Sequence, residues 1–203
     1  MTQEPAEAII ALGAEQGFAV FSATGTIMRG WALVAQGRAP GAGQGQEEEG
    51  MAQLQQGLAA WRATGAEVFR PYGLALLAEA YAKVGQPEEG LPLLAEALAV
   101  ANDKGERRWD AELYRLQGEL LLAHAAEQHT EAETCFRQAI DVARHQQAKS
   151  WELRATMSLT RLWQRQGKRG EARQLLAEVY GWFTEGFDTA DLHEARALLE
   201  ELG

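Results

Sequence analysis

Arg154, Arg161 and Arg165 stand at i, i+7 and i+11. On a helix that spacing puts all three on one stripe. Guanidinium forks in a row suit two-point capture of carboxylates, so the stripe points to recognition of an acidic peptide rather than to bond-making chemistry. The competing reading is a solvated helix face partnered by nearby Glu. Other reactive residue types are scattered. His124, His129, His145 and His193 have no second ligand at i+3 or i+4, and Cys135 belongs to no matched set, so no metal site is expected. Cys135 beside Phe136 reads as a small core residue. The stretch GAGQGQ (41–46) lacks both the Lys-Ser or Lys-Thr and the preceding strand of a phosphate loop, and reads as a loop between helices. The runs EEE (47–49) and PEE (87–89) suit the positive end of the helix dipole in a first helical turn. Trp109 and Trp151, 42 positions apart, read as packing in a repeat register. No enzyme and no cofactor are expected.

Composition narrows the elements that must position these residues. The chain has 203 residues, is 46% apolar with much Ala and Leu, and has five prolines. Ala, Leu, Glu, Gln and Arg are strong helix formers, so the expected fold class is all-α. The formal net charge of −10 argues against general nucleic-acid binding, which needs a basic footprint. A single cysteine excludes an internal disulfide and suits a reducing cytoplasm. The start MTQEPAEAII lacks the basic and apolar segments of a signal peptide. No stretch approaches the roughly 18 uninterrupted apolar residues of a membrane span. A cytoplasmic chain without membrane contact is expected.

The chain repeats itself. KVGQPEEGLPLLAEALAVA (83–101) and RQGKRGEARQLLAEVYGWF (165–183) share a glycine, a charged turn, a small residue and Leu-Leu-Ala-Glu. EQHTEAETCFRQAIDVA (127–143) is a third copy and EEEGMAQLQQGLAAW (47–61) a fourth. The small residues Gly50, Gly90, Ala132 and Ala172 are spaced by 40, 42 and 40. Four positions after each comes Leu54, Leu94, Phe136 or Leu176, and three further on Gly57, Ala97, Ala139 or Val179. Small, large, small on one helix face lets a neighbouring helix approach closely while the large residue fills the gap. Each copy follows another helical pattern, with Gly30, Ala78, Gly118 or Thr160 at the crossing position and Leu33, Tyr81, Leu121 or Trp163 three later. Each unit is therefore a helix–turn–helix of about forty residues.

These residues resemble the tetratricopeptide repeat, and Leu77, Ala78, Tyr81, Gly85, Gly90, Leu94 and Ala97 match its pattern best. The period exceeds the usual 34, two extra residues lie between Gly118 and Ala132, and Asn102 stands where the family closes with proline. The resemblance covers about residues 18–183. It implies a right-handed α-solenoid, read as a single domain: a partial unit (1–17), unit one (18–65), unit two (66–105), unit three (106–147), unit four (148–186) and a C-terminal capping helix (187–203). In such repeats the first helices line a concave groove. The resemblance puts Trp31, Tyr72, Glu79, Lys83, Glu112, Arg115, Glu119, Arg154, Arg161, Gln164 and Arg165 there. The Lys/Asn carboxylate clamp of chaperone-binding repeats is not reproduced, which argues against a chaperone-tail receptor.

A stacked array needs a terminal helix with a polar outer side. In YGWFTEGFDTADLHEARALLEELG, Gly186 permits a corner, Asp188 or Thr189 can serve as the N-cap, and Leu192, Ala195, Leu198, Leu199 and Leu202 form an apolar stripe. EPAEAIIALGAEQG reads as the second helix of an incomplete preceding unit, which suggests a chain cut from something longer. GWALVAQG, QQGLAAWRATGAE, RPYGLALLAEAYAKVGQPEEGL, AELYRLQGELLL and the segment ending WFTEGFDTADL are similar to the C-terminal repeat region of bacterial multidomain signalling proteins. Those join a class III adenylate or guanylate cyclase, or another effector, to a signal-transduction ATPase. The similarity implies a protein-docking or sensory arm, with RAPGAGQGQ longer than that family's turn. The expected function is binding of a protein or peptide segment in the groove, with an acidic segment the partner that the Arg stripe suits. Two other readings are self-association into a homodimer through Ile9, Ile10 and Leu12, and a small-molecule sensor between helices.

Overall fold

A computed structural model describes residues 3–37, 44–125 and 127–203. Among them are ten α-helices: α1 (Gln3–Gln16), α2 (Ala19–Gly37), α3 (Gln44–Ala63), α4 (Arg70–Lys83), α5 (Pro87–Lys104), α6 (Asp110–His124), α7 (His129–His145), α8 (Lys149–Arg165), α9 (Arg169–Tyr180) and α10 (Ala190–Leu202). No strand occurs among the described residues, and the fold class is the all-α one expected. The expected loop over 41–46 needs correction. Helix α3 already begins at Gln44, because Gln and Glu propagate a helix readily, while 38–43 lie outside the described residues. Of the EEE run only Glu47 then falls in the first turn. Glu88 and Glu89 do occupy the first turn of α5.

The chain divides into two compact units, residues 1–107 and 108–203. In the first, α1 packs on α2, α2 on α3 and α4 on α5, with α4 also touching α2 and α3. The small positions are where backbones meet. A side-chain carbon on Gly30 would lie 2.7 Å from the Gly50 carbonyl oxygen, and one on Gly57 2.7 Å from Ile27. Leu54, Ile27 and Val34 fill the space beside these contacts and are fully buried, with Leu58, Trp61, Leu76 and Leu77 completing the core. Between α4 and α5, Gly85 takes φ 82°, a left-handed conformation that costs glycine little. It lets the Gln86 amide return to the Tyr81 carbonyl, closing α4.

In the second unit α7 packs on α6 and α8, α8 on α6 and α9, and α10 on α8 and α9. A carbon added to Gly118 would lie 2.5 Å from the Phe136 ring. At the equivalent place in α8, Thr160 is buried and its hydroxyl donates to the Ala172 carbonyl at 3.5 Å. Ala132, Ala139, Ala172, Leu176 and Val179 are buried around these crossings. Trp109 and Trp151 meet edge to face at 6.2 Å, as a shared packing register demands. Gly186 turns the chain with φ 75°, and Leu192, Ala195, Leu198 and Leu202 of α10 are buried, with Leu199 half-buried. Thr189 is the N-cap, but its hydroxyl donates to the Gly186 carbonyl instead of capping a helix amide. Cys135 is half-buried, not a core residue. Burial and the Glu131 charge push its thiol pKa up, away from thiolate chemistry.

One buried charge links α7 to α8. Glu152 accepts from Arg144 Nε at 2.8 Å and from Lys149 Nζ at 2.6 Å. Burial alone would raise its pKa, but the two cations outweigh it and hold the carboxyl below the usual 4.5.

Both the crossings and the buried charge can be tested by substitution. Gly30→Ala forces a methyl into backbone and should cost roughly 1–3 kcal/mol in urea unfolding, whereas Gly170→Ala, with open space around it, should cost nothing. Because the folded pKa of Glu152 is depressed, its contribution is present above about 4.5 and is lost as pH falls below that value. Glu152→Gln should therefore lower the melting temperature at pH 7, with the difference from wild type closing as pH falls below about 4.5 and through the depressed folded pKa.

Candidate functional site

The polar side of the first helices carries the expected groove residues, and each unit presents its own face. In the first, Tyr72, Glu79 and Lys83 lie on α4 at i, i+7 and i+11, the spacing of Arg154, Arg161 and Arg165 on α8. Trp31 on α2 donates from its indole nitrogen to Glu79 Oε2 at 2.9 Å. Lys83 Nζ lies 3.3 Å from Glu79 and 6.0 Å from the Trp31 ring centre. Indole, carboxylate and ammonium thus close a triangle across two helices, all half-buried. Tyr72 lies lower. It meets Phe69 edge to face at 5.5 Å and packs against the unit's core.

In the second unit the face is denser. Glu112 is buried and receives Arg115 at 2.8 and 2.7 Å and Arg154 at 2.8 Å. Arg115 is itself buried, with Nη1 3.6 Å from Glu119 Oε1. Ser158 donates to that same Glu119 oxygen at 2.6 Å. The Arg154 guanidinium also lies 5.4 Å from the Trp151 ring centre, a cation–π distance. Ser158 and Trp151 are not among the residues expected at the site. Ser158 is short and sits among apolar neighbours, and nothing in its spacing points to Glu119.

The rest of the α8 stripe is more open. Arg161 pairs with Glu194 of α10 at 2.5 Å. Gln164 is half-buried, and Arg165 is exposed and forms no ion pair among the described residues. So Arg154 is committed to Glu112, while Arg161 and Arg165 stand further along the stripe, with Arg165 open to solvent. No group of three or more His, Cys, Asp or Glu among the described residues could hold a metal ion. No helix there is long and apolar enough to cross a membrane.

The tetratricopeptide repeat family model matches residues 72–145. That match covers about a third of the chain. The chain's structure is similar to two crystal structures of the Podosopora anserina putative kinesin light chain with nearly identical TPR-like repeats. For one of them, identity is 20%, the alignment covers 87% of this chain and 84% of that one, and the TM-score is 0.61. For the other, identity and coverage are the same and the TM-score is 0.59. At that identity the likeness concerns the fold: within each unit the helix pairs pack as in an α-solenoid. No curated protein matches the chain. Tetratricopeptide repeats generally mediate protein–protein interaction or scaffolding, and the fold is typically non-catalytic.

The two kinds of ion pair on the second face predict different costs. Glu112→Ala takes the two-point partner from the buried Arg115 charge and should destabilise by about 3–5 kcal/mol. Glu194→Ala breaks an exposed pair and should cost no more than about 1 kcal/mol. Chemical unfolding of the two variants beside wild type measures the contrast.

Proposed function

We propose that the chain is a non-catalytic docking module whose first-helix faces bind a partner protein segment. The supporting observation is that these faces are pre-assembled. Trp31 with Glu79, and Arg154 with Glu112, join neighbouring first helices before any partner arrives. A surface already ordered loses little conformational entropy on binding. The residues proposed for contact are Trp31, Glu79 and Lys83 in one unit, and Glu119, Arg161, Gln164 and Arg165 in the other. Tyr72, Arg115 and Arg154 support them from beneath. With Arg165 in no ion pair among the described residues and Arg161 held only by an exposed Glu194, the second face favours a partner bearing carboxylates. The repeat units proposed are 18–65, 66–105, 106–147 and 148–186, with 1–17 a partial unit. Similarity of the GWALVAQG and WFTEGFDTADL stretches to bacterial cyclase–ATPase proteins supports a cytoplasmic signalling context.

Self-association through the exposed Leu12, Phe18 and Phe21 is the second reading, although the acidic residues beside them would set two copies acid against acid. It predicts a light-scattering mass that rises with concentration.

For the docking reading, a labelled Glu-rich peptide is titrated against wild type and an Arg161→Glu, Arg165→Glu variant. We expect binding to weaken by about tenfold or more, the scale of one lost charge-assisted contact. Unchanged affinity removes the α8 stripe from the site.

A further inference from the structure

Helices α1 and α2 enclose a hollow of about 490 Å³ lined by Ile9, Leu12, Gly13, Phe18 and Phe21, with Gln16 and Thr24 at its margin. Its walls are set by close packing. A side-chain carbon on Gly13 would lie 2.7 Å from the Ser22 amide, and one on Gly25 2.7 Å from Ile10. Leu12, Phe18 and Phe21 remain more than half exposed, and the two rings meet edge to face at 6.0 Å. Large apolar side chains held open around a hollow mark a binding surface.

We propose that this hollow receives a cationic amphipathic helix of another protein. Two features choose that occupant. The lining is almost wholly apolar, and the Thr24 hydroxyl already donates to the Val20 carbonyl. An extended segment would find no partners there for its backbone amides and carbonyls, so the occupant must satisfy its own, as a helix does.

The second feature is charge. Residues 1–28 contain Glu4, Glu7 and Glu15 and no Lys, Arg, Asp or His. Glu7 is 3.5 Å from Arg29, whereas Glu4 and Glu15 are exposed and form no ion pair among the described residues. They share one stripe of α1, at i and i+11 with Ala8 and Ala11 between. That stripe borders the one carrying Ile9 and Leu12. A second copy answers this poorly. The chain's net charge is −10, and its other exposed aromatics, Trp182 and Phe187, belong to a segment with Glu185, Asp188 and Asp191, which outnumber the Lys149 ammonium 5.6 Å from the Trp182 ring centre. Either face would set acid against acid, whereas Lys and Arg flanking an apolar stripe complement the rim and speed the encounter.

The test uses three labelled peptides of about 18 residues, long enough for several helical turns. One has Leu at i, i+3, i+4 and i+7 with Lys elsewhere, one replaces Lys by Glu, and one keeps Lys but replaces Leu by Ser. Fluorescence anisotropy against the full chain carrying Arg161→Glu and Arg165→Glu, so that the α8 stripe cannot hold the acidic peptide, should show the Leu/Lys peptide binding at least about tenfold more tightly than the other two. Leu12→Ser with Phe21→Ser should weaken it by a similar factor with helical circular dichroism intact, since both positions are exposed. Glu4→Lys with Glu15→Lys should weaken it less. Arg161→Glu with Arg165→Glu should leave it unchanged, which separates this face from the docking stripe. Any of four outcomes overturns the proposal: equal binding of the Leu/Lys and Leu/Glu peptides, indifference to the Leu12 and Phe21 changes, a dimer of the chain that those changes dissolve, or partition onto neutral lipid vesicles in preference to the peptide.

Discussion

Where α2 crosses α3 the two backbones touch, and a carbon added to either Gly30 or Gly50 would sit 2.7 Å from the other's carbonyl oxygen. Contact that close leaves no freedom in helix spacing. It obliges the neighbouring large residues, Leu54 and Ile27, to fill the wedges that open on either side of the crossing. The second unit solves the same problem with other atoms: Phe136 lies against Gly118, and Thr160 bonds to the Ala172 carbonyl. In each case a small residue sets the distance and a large one fills the remainder. This dependence repeats at intervals near forty because each helix pair must cover the apolar side of its neighbour within the unit.

The polar faces inherit their order from those crossings. Glu79 reaches Trp31, and Glu112 reaches Arg154, because first helices of adjacent pairs are held side by side. Long side chains such as Arg carry about 2 kcal/mol of rotamer entropy. Anchoring Arg154 between Glu112 and the Trp151 ring already restricts those rotamers within the chain itself. The same anchoring withdraws Arg154 and Arg115 from outside contact, so the face divides into a fixed floor and a few adjustable tips. Arg161, Gln164 and Arg165 are the tips of the second unit, and Glu79 and Lys83 those of the first.

Some of this is legible in the residues and some is not. The crossing register can be read because size is a property of a single residue, and Gly90, Ala132 and Ala172 each announce a close approach. Helix α10 can be read from the stripe of Leu192, Ala195, Leu198 and Leu202. The pairing of Arg154 with Glu112, across 42 positions, cannot, since either residue alone suits solvent. Ser158 and the Arg144–Glu152–Lys149 cluster escape a reading of the sequence for the same reason. Cys135 misleads because its neighbour Phe136 points into the core, and adjacent helical residues diverge by about 100°. At α1 and α2, Ile9, Ile10 and Leu12 stand out as an apolar edge. Phe18 and Phe21, which complete the hollow, are masked by lying across the turn at Gly17.

Amide hydrogen exchange of the intact chain, resolved by residue, tests the dependence on helix crossings most directly. The slowest amides in the two units should cluster around Leu54 and Leu94, and around Phe136 and Leu176, with the polar faces and α1 exchanging faster. Slowest exchange at the ends of α1 and α10, with the crossing positions exchanging freely, would contradict the account.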